Sequence, residues 1–370
     1  RRHARPNTTS RGEPDAAQPL PIAERPEVEP IDPNRFVLDS PDDTVVGVPQ
    51  VVFASATDTL SDLAREYGLG YDEIVAANPE VSPWLPGDGE PVLLPSQYLL
   101  PPVPKVGIVL NIASKRLFYF PKVGEGAPRF VLTFPIGIGR VGWETPLGAA
   151  TIVSKAVEPS WYVPLSVRRE HEELGDPLPA VVPPGPDNPL GSRVLKLSMP
   201  GYLIHGTNQP YGVGMRVSHG CVRLYPENIE FLYELVETGE PVMIVNEPYL
   251  LGSAGGEWYF ESHAPLEDDV IDPQDRLAAL FESAGEDFTA AMQVHARSIA
   301  SMANGFAIRV SAYDTYEVFA RLQRVENTVE VDADAPTLEE VREMIEEAVA
   351  EAELEREAIG AEEPPEQVAN

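Results

Sequence analysis

Ile108-Val109-Leu110-Asn111-Ile112 and Arg116-Leu117-Phe118-Tyr119-Phe120, parted by Ala113-Ser114-Lys115, form the stretch on which the fold turns. The two apolar runs flank a short polar turn as the arms of a hairpin do. Outward from them, strand-like runs recur at Phe130–Ile136, Ala150–Ser154, Val194–Leu197, Tyr202–Ile204 and Val242–Val245. Gly- and Pro-rich turns, including Gly137-Ile138-Gly139 and Val182–Pro189, separate them. Many short strands without alternating helices predict a mainly β domain, a sandwich or barrel, over residues 105–246. One helix is predicted inside it, Pro226–Val236, with Pro226 suited to a first turn and Gly239 near its end.

Upstream, residues 1–44 are rich in proline and charge and poor in large apolar side chains, and are expected to be a flexible Pro-rich tether. Residues 45–98 read as a small α+β module. Val51-Val52-Phe53 is its first strand; Thr59–Tyr67 places Leu60, Leu63, Ala64 and Tyr67 at helical spacing and closes on Gly68. A second helix, Tyr71–Ala77, stops at Asn78-Pro79, and a strand follows at Pro91–Leu94. Downstream, residues 247–370 are expected to be an acidic, largely helical region of unassigned role. Gln274–Phe281 and Phe288–Met302 have amphipathic spacing, and Leu338–Ala358 carries Val341, Ile345 and Val349 on one stripe behind Thr337 as N-cap.

A chain of 370 residues is long enough for two or three domains. Its 43% apolar content is that of a globular protein, and no apolar run approaches the roughly 18–20 residues that cross a bilayer. With 27 basic and 59 acidic residues the net charge is −32, which argues against nucleic acid and anionic membrane surfaces as partners. Residues 247–370 alone hold 29 acidic and 7 basic residues, a pattern expected of a solvated region. The chain opens on Arg1 without a charged-then-apolar leader, so export is not legible from its first residues. The single cysteine excludes an intrachain disulfide and an all-thiolate zinc site. A lone cysteine is most often an inert core residue, and only its neighbours could make it a nucleophile.

Those neighbours are Ile204-His205-Gly206-Thr207 and, fourteen positions after that histidine, Ser218-His219-Gly220-Cys221-Val222-Arg223-Leu224. Cysteine acyl transfer needs a thiolate, a histidine that takes and returns a proton, and donors for a developing oxyanion. His205 and His219 supply bases, Gly220 permits close backbone approach, and Arg223 would favour the thiolate or bind a substrate carboxylate. The same His205, His219 and Cys221 could instead be a His₂Cys zinc set, although no fourth ligand or general-base carboxylate is evident nearby.

Two resemblances sharpen the reading. Residues 45–98 resemble a LysM domain, the glycan-binding module of many cell-wall proteins, through Asp58-Thr59-Leu60, Ala64-Arg65-Glu66-Tyr67-Gly68, Asn78-Pro79 and the Pro86-Gly87 turn before a strand ending at Pro95. Thr57 stands where that family usually has Gly. From Lys105 to Asn246 the chain resembles the catalytic domain of the L,D-transpeptidases, the YkuD family, and in particular its ErfK/YbiS branch. The histidine followed by Ser-His-Gly-Cys is that family's motif. Supporting words are Phe134–Gly139, Gly142–Gly148, Pro159-Ser160-Trp161, Asp187–Gly191 and Gly212–Arg216; Arg223 departs from the Asn of many members.

The resemblance implies that Cys221 attacks the carbonyl of the third residue, usually diaminopimelate, of a tetrapeptide donor on peptidoglycan and expels D-alanine. His205 would serve it as base and acid, oriented by a backbone carbonyl near Gly206. His219 with the Gly220 and Cys221 amides would line the oxyanion side, Ser218 would support the turn, and Arg223, Trp161 and Tyr211 would contact substrate. The thiol would be lowered below the roughly 8.5 of a free cysteine. No cofactor or metal is implied. The acceptor would be an amine on another stem or on an outer-membrane protein or lipoprotein, with glycan strands held by the LysM-like module. Transfer to water would make the chain an L,D-carboxypeptidase or linkage hydrolase, and a non-catalytic wall-binding scaffold is the reading from another class. The implied setting is periplasmic, exported, in cell-wall organisation and cell shape, with acylation by carbapenems.

Overall fold

The structure, a computed structural model, describes residues 20–40, 42–124, 126–311 and 320–330. The chain opens with β1 (Arg35–Leu38), β2 (Val45–Gly47), β3 (Gln50–Phe53), α1 (Leu60–Glu66), α2 (Tyr71–Ala77), β4 (Pro91–Leu94) and β5 (Gln97–Leu99). α1 starts where Thr59 and Asp62 form a capping box: the Thr59 hydroxyl accepts from Asp62 N–H and the Asp62 carboxylate from Thr59 N–H, both at 3.0 Å. It stops because Gly68 turns into the left-handed region at φ +64°. Asn78 ends α2 and binds it to β4: its side-chain amide donates to the Ile74 and Leu93 carbonyls, and its oxygen accepts from Leu93 N–H.

The tether expected over residues 1–44 is corrected where it is described. β1 pairs antiparallel with the strand Arg129–Pro135, burying Phe36 and Leu38, and Val28 bridges Val325. Phe36 and Leu38, buried on one face while Arg35 and Val37 face out, let even this Pro-flanked stretch add to the sheet edge. Residues 1–19 lie outside the described residues.

The central part runs β6 (Gly107–Asn111), β7 (Arg116–Phe120), β8 (Arg129–Pro135), β9 (Ile138–Gly139), β10 (Gly148–Val157), β11 (Trp161–Tyr162), α3 (Leu165–Glu173), β12 (Val181–Val182), β13 (Arg193–Leu197), β14 (Leu203–His205), β15 (Arg216–Ser218), β16 (Val222–Arg223), α4 (Pro226–Leu235) and β17 (Pro241–Val245). The expected hairpin is β6–β7, with Ile108 opposite Tyr119. A nine-stranded mixed sheet has the order β1-β8-β7-β6-β17-β10-β13-β14-β16. Mainly β is therefore what is found, as one curled sheet. The curl falls in β10, whose first residues pair with β17 and whose later ones pair with β13 across a register shift between Ile152 and Ser154.

Both faces of β6–β8 are buried, which is why their sequences are continuous apolar runs. One face puts Ile108, Leu110, Leu117 and Phe134 into a core that the curled sheet closes with Leu195, Ile204 and Val222, and α4 fills it with Ile229 and Leu232. The other puts Val109, Phe118 and Val131 against Leu60, Leu63 and Ile74 of the N-terminal module. Each such fully buried side chain contributes about 1.5–3 kcal/mol. Arg116 fastens this second interface. Its guanidinium, 1% exposed, donates to Glu73 at 2.7 Å, to the Gly68 carbonyl at 2.9 Å and to Thr133 at 3.2 Å, and lies over the Tyr98 ring.

The C-terminal part contains β18 (Tyr249–Ala254), β19 (Glu257–Ser262), α5 (Pro273–Ala284), α6 (Ala290–Ala300), β20 (Ile308–Arg309) and β21 (Gln323–Val325). The largely helical expectation is corrected: α5 and α6 fall where amphipathic spacing placed them, but they pack on a β18–β19–β20 sheet. The helix expected at 338–358 lies outside the described residues. β21 runs parallel to β3, and Asn327 beyond it donates to the Phe53 carbonyl and to Asp58, so this segment closes over the N-terminal module. Among the described residues no helix is long and apolar enough to cross a membrane.

Candidate active site

The two sequence words meet because β14 and β16 lie side by side. They pair in parallel with Ile204 opposite Val222 and His205 opposite Arg223, so Cys221 precedes a strand whose neighbour ends in His205. His205 is 3% exposed, and its Nδ1 lies 2.6 Å from the Gly206 carbonyl oxygen. A carbonyl can only accept, so Nδ1 carries the proton and Nε2 keeps its lone pair. Burial, reinforced by the Arg223 charge, lowers the His205 pKa to about 3, so its ring is neutral at pH 7. Gly191, at φ +64°, makes this packing possible: a Cβ there would sit 2.7 Å from Thr207 N. Asn188, before it, ties the loop down with donor bonds to the carbonyls of Pro159 at 2.8 Å and Pro183 at 3.0 Å.

Cys221 follows a turn that only a glycine tolerates. Gly220 has φ +95°, and a Cβ there would lie 2.9 Å from the Tyr202 ring. Hydroxyls hold both carbonyls of the turn. Thr145 donates to Gly220 O at 3.0 Å while accepting from Gly139 N–H at 3.0 Å, and Ser218 donates to Cys221 O at 2.5 Å. Because C=O and N–H point oppositely across a trans peptide, the Thr145 bond aims the Cys221 N–H away from the Thr145 side. The Cys221 sulfur lies 3.8 Å from the Gly201 carbonyl, and among the described residues it makes no hydrogen bond to either imidazole. The expected lowering of its pKa is corrected: burial pushes the thiol above its ordinary value, and a backbone hydrogen bond at Leu203 and the Arg223 charge oppose this only in part.

His219 has charged company that sequence reading did not find. Its Nε2 lies 2.7 Å from Glu170 Oε2 and 3.0 Å from Arg140 Nη1, while Arg140 Nη2 donates to Glu170 Oε1. Trp143 meets the ring edge-to-face at 5.0 Å and His171 lies at 6.2 Å. Burial, then the Arg140 charge, lowers His219 to about 4 against the opposing pull of Glu170. Burial would raise Glu170, but its bonds to Arg140 and His219 outweigh this and hold it below the ordinary carboxylate range. A carboxylate thus does stand beside one of the two histidines, His219, contrary to the sequence reading. It comes from α3, a short and strongly polar helix that buries only Val167 and was not expected. Glu170 carried no readable signal. Arg140 lay beside the quoted Phe134–Gly139 stretch and Thr145 within Gly142–Gly148, and Gly139 marks their crowding: a Cβ there would be 1.9 Å from Trp143 O.

The remaining expected residues are spread around this centre. A Cβ at Gly206 would lie 3.1 Å from the Ile229 side chain and 3.5 Å from Gly191. Arg223 bridges Gly137 through both backbone groups, at 2.9 and 3.0 Å. Trp161 lies in the β11–β12 ribbon of the same insertion as α3, opposite Val182. Tyr211 packs with Met215, Tyr71 and Trp84 where α2 meets the β domain.

The sequence profile of the L,D-transpeptidase catalytic domain, YkuD, matches residues 105–244. A probable L,D-transpeptidase of Escherichia coli strain K12, YcfS, is 38% identical over 243 residues, which are 64% of this chain and 75% of that protein. A second from the same strain, YbiS, is 40% identical over 239 residues, 64% of this chain and 74% of that one. A solved L,D-transpeptidase from Mycobacterium smegmatis is 22% identical over 38% of this chain and 58% of that one, with a TM-score of 0.26, too weak a likeness to bear on the fold. With three quarters of YcfS matched at 38% identity over the domain that carries the Ser218–Cys221 turn, the chain belongs to the YkuD family of L,D-transpeptidases.

Proposed function

We propose that the chain is a cysteine acyltransferase of peptidoglycan stem peptides, with Cys221 as nucleophile and His205 as its base. The observation that carries the reading is the His205 tautomer: Nδ1–H given to the Gly206 carbonyl leaves a neutral ring, with Nε2 as its basic nitrogen, on the strand beside Cys221. With the thiol pushed up and the histidine pushed down, a resting thiolate–imidazolium pair is unfavourable. The proton therefore moves to Nε2 as sulfur attacks the carbonyl of the third stem residue. The C–S bond forms, the C–N bond to D-alanine breaks, and the imidazolium returns its proton to the departing amine. An acceptor amine then attacks the thioester, gives its proton to His205, and the thiol is restored. The Cys221 N–H, aimed by the Thr145 bond, is the oxyanion donor in this scheme, with Gly220 beside it. Arg223, Trp161 and Tyr211 keep the substrate-side assignment.

The acceptor in this reading is an amine of a second stem or of an envelope protein or lipoprotein, and the setting is the periplasm. Contact with glycan strands falls to the LysM-like module at 45–98. The test is incubation with a carbapenem followed by mass measurement: one adduct is expected on the wild type and none on Cys221→Ala. Absence of an adduct on both would overturn the enzyme reading. Muropeptide analysis of digested sacculi separates the acceptors, since 3–3 cross-linked dimers, protein-linked stems and free tripeptides are distinct products.

A further inference from the structure

His219 Nε2 has two neighbours that cannot both be satisfied by one neutral ring nitrogen: the Glu170 carboxylate at 2.7 Å, which needs a proton from it, and Arg140 Nη1 at 3.0 Å, which needs its lone pair. The shorter contact is to an anion, and Arg140 is already engaged with the other Glu170 oxygen. We infer that Glu170 is a positioning residue that fixes His219 in the Nε2–H tautomer, with Arg140 holding the carboxylate in place. The inference deepens the proposed function and rests on it for its catalytic consequence, although the tautomer itself does not depend on Cys221 chemistry.

The surroundings make the arrangement stiff. Trp143 lies edge-to-face on the ring at 5.0 Å, Arg140 is 6% exposed, and Glu170 is carried by α3 in an insertion anchored through Asn188. The charged and titratable groups facing His219 are Arg140 from the turn after β9, Glu170 and His171 from α3, and Arg223 from β16. In a neutral ring whose Nε2–H is given to Glu170, Nδ1 has no proton to donate. His219 is then not an oxyanion donor. That task stays with the backbone amides of the Gly220–Cys221 turn, and Nδ1 is left as an acceptor.

The ¹⁵N shifts of the His219 ring at pH 7 test this in the folded full chain. The wild type should show a protonated Nε2 and a bare Nδ1. Glu170→Ala should reverse the pattern, because Arg140 then donates into Nε2. Glu170→Gln keeps the side-chain shape, and with its carbonyl on Arg140 its NH₂ faces Nε2, so it should reverse the pattern too and guards against a folding defect in the alanine variant. Carbapenem acylation of Cys221 should slow roughly tenfold or more in both, as when an orienting partner is removed from a working histidine. Nδ1–H in the wild type, Nε2–H retained in both variants, or a reversed tautomer with unchanged acylation would each overturn the inference. A wild type with the expected tautomer but no adduct would overturn the proposed function and leave the tautomer assignment standing.

Discussion

The β14 side of Cys221 and the α3 side each present a histidine, and they are built in opposite ways. His205 is held by main-chain groups close by in the fold, its Nδ1–H on the Gly206 carbonyl and its packing set by Gly191. His219 is held by ionised side chains drawn from far along the chain, Arg140 and Glu170. Both rings are kept neutral by burial and by a cation that opposes their charging, Arg223 at His205 and Arg140 at His219. A backbone partner fixes a tautomer without adding charge. A side-chain ion pair fixes one too, but can be edited by a single substitution. The first suits a base whose pKa must not wander, and the second suits a group that reads its environment.

The largest expected break in this comparison is His205→Ala against His219→Ala. Loss of the general base should slow Cys221 acylation by about 10²- to 10⁴-fold, whereas loss of the positioned His219 should cost roughly tenfold; time-resolved mass measurement of the carbapenem adduct checks both. Equal losses would erase the distinction. Next comes Ser218→Ala, which leaves the Cys221 carbonyl without its 2.5 Å donor; it should destabilise the fold by about 1–3 kcal/mol in urea unfolding and slow acylation with it.

Acid should then sharpen the comparison. Both histidines have folded values, about 3 and about 4, below the ordinary 6.5, so between those limits the unfolded chain binds protons that the folded chain refuses. Stability from both is therefore fully present above about pH 6.5 and is lost as pH falls toward the folded values. Denaturant midpoints at pH 7 and pH 5 should differ less in His205→Gln and in His219→Gln than in the wild type. The smallest effect is expected at Arg216, which donates to Gly139 O while pairing at 2.7 Å with Glu267 and Asp268 of the acidic link. Both acids are substantially exposed, so Glu267→Gln should cost under about 1 kcal/mol, with the loss disappearing in high salt.

Much of the fold could be read because local chemistry wrote it. The spacing of Leu60, Leu63, Ala64 and Tyr67 placed α1, Gly68 marked its end, and the Ile108–Phe120 hairpin lies where its apolar runs placed it. The His205 and Ser218–Cys221 words could be read as a candidate site because a glycine turn and two histidines have few other uses. Other parts were not. α3 is a nine-residue, mostly charged helix that buries only Val167, so it offers too few apolar residues to read, and Glu170 went with it. β18 and β19 were masked by the acidic composition around them, although Gly255 and Gly256, at φ +59° and +81°, are the residues a two-residue hairpin turn requires. Arg35–Leu38 read as tether because its partner, Arg129–Pro135, lies about a hundred positions away.

What the sequence by itself determined is therefore the short-range part: the mainly β pattern over 105–246, the helices of 45–98, the family, and His205 with the Ser218–Cys221 turn as the candidate site. Only the tertiary structure decided that the N-terminal module buries one face of the β6–β8 sheet around Arg116, that a C-terminal strand closes over that module, and that an ion pair from α3 holds His219. The physical reason is common to all three. Caps, turns and strand periods are set by neighbours within a few residues, whereas a buried ion pair or an added sheet edge exists only once distant segments have been brought together, and neither partner carries a mark of the other.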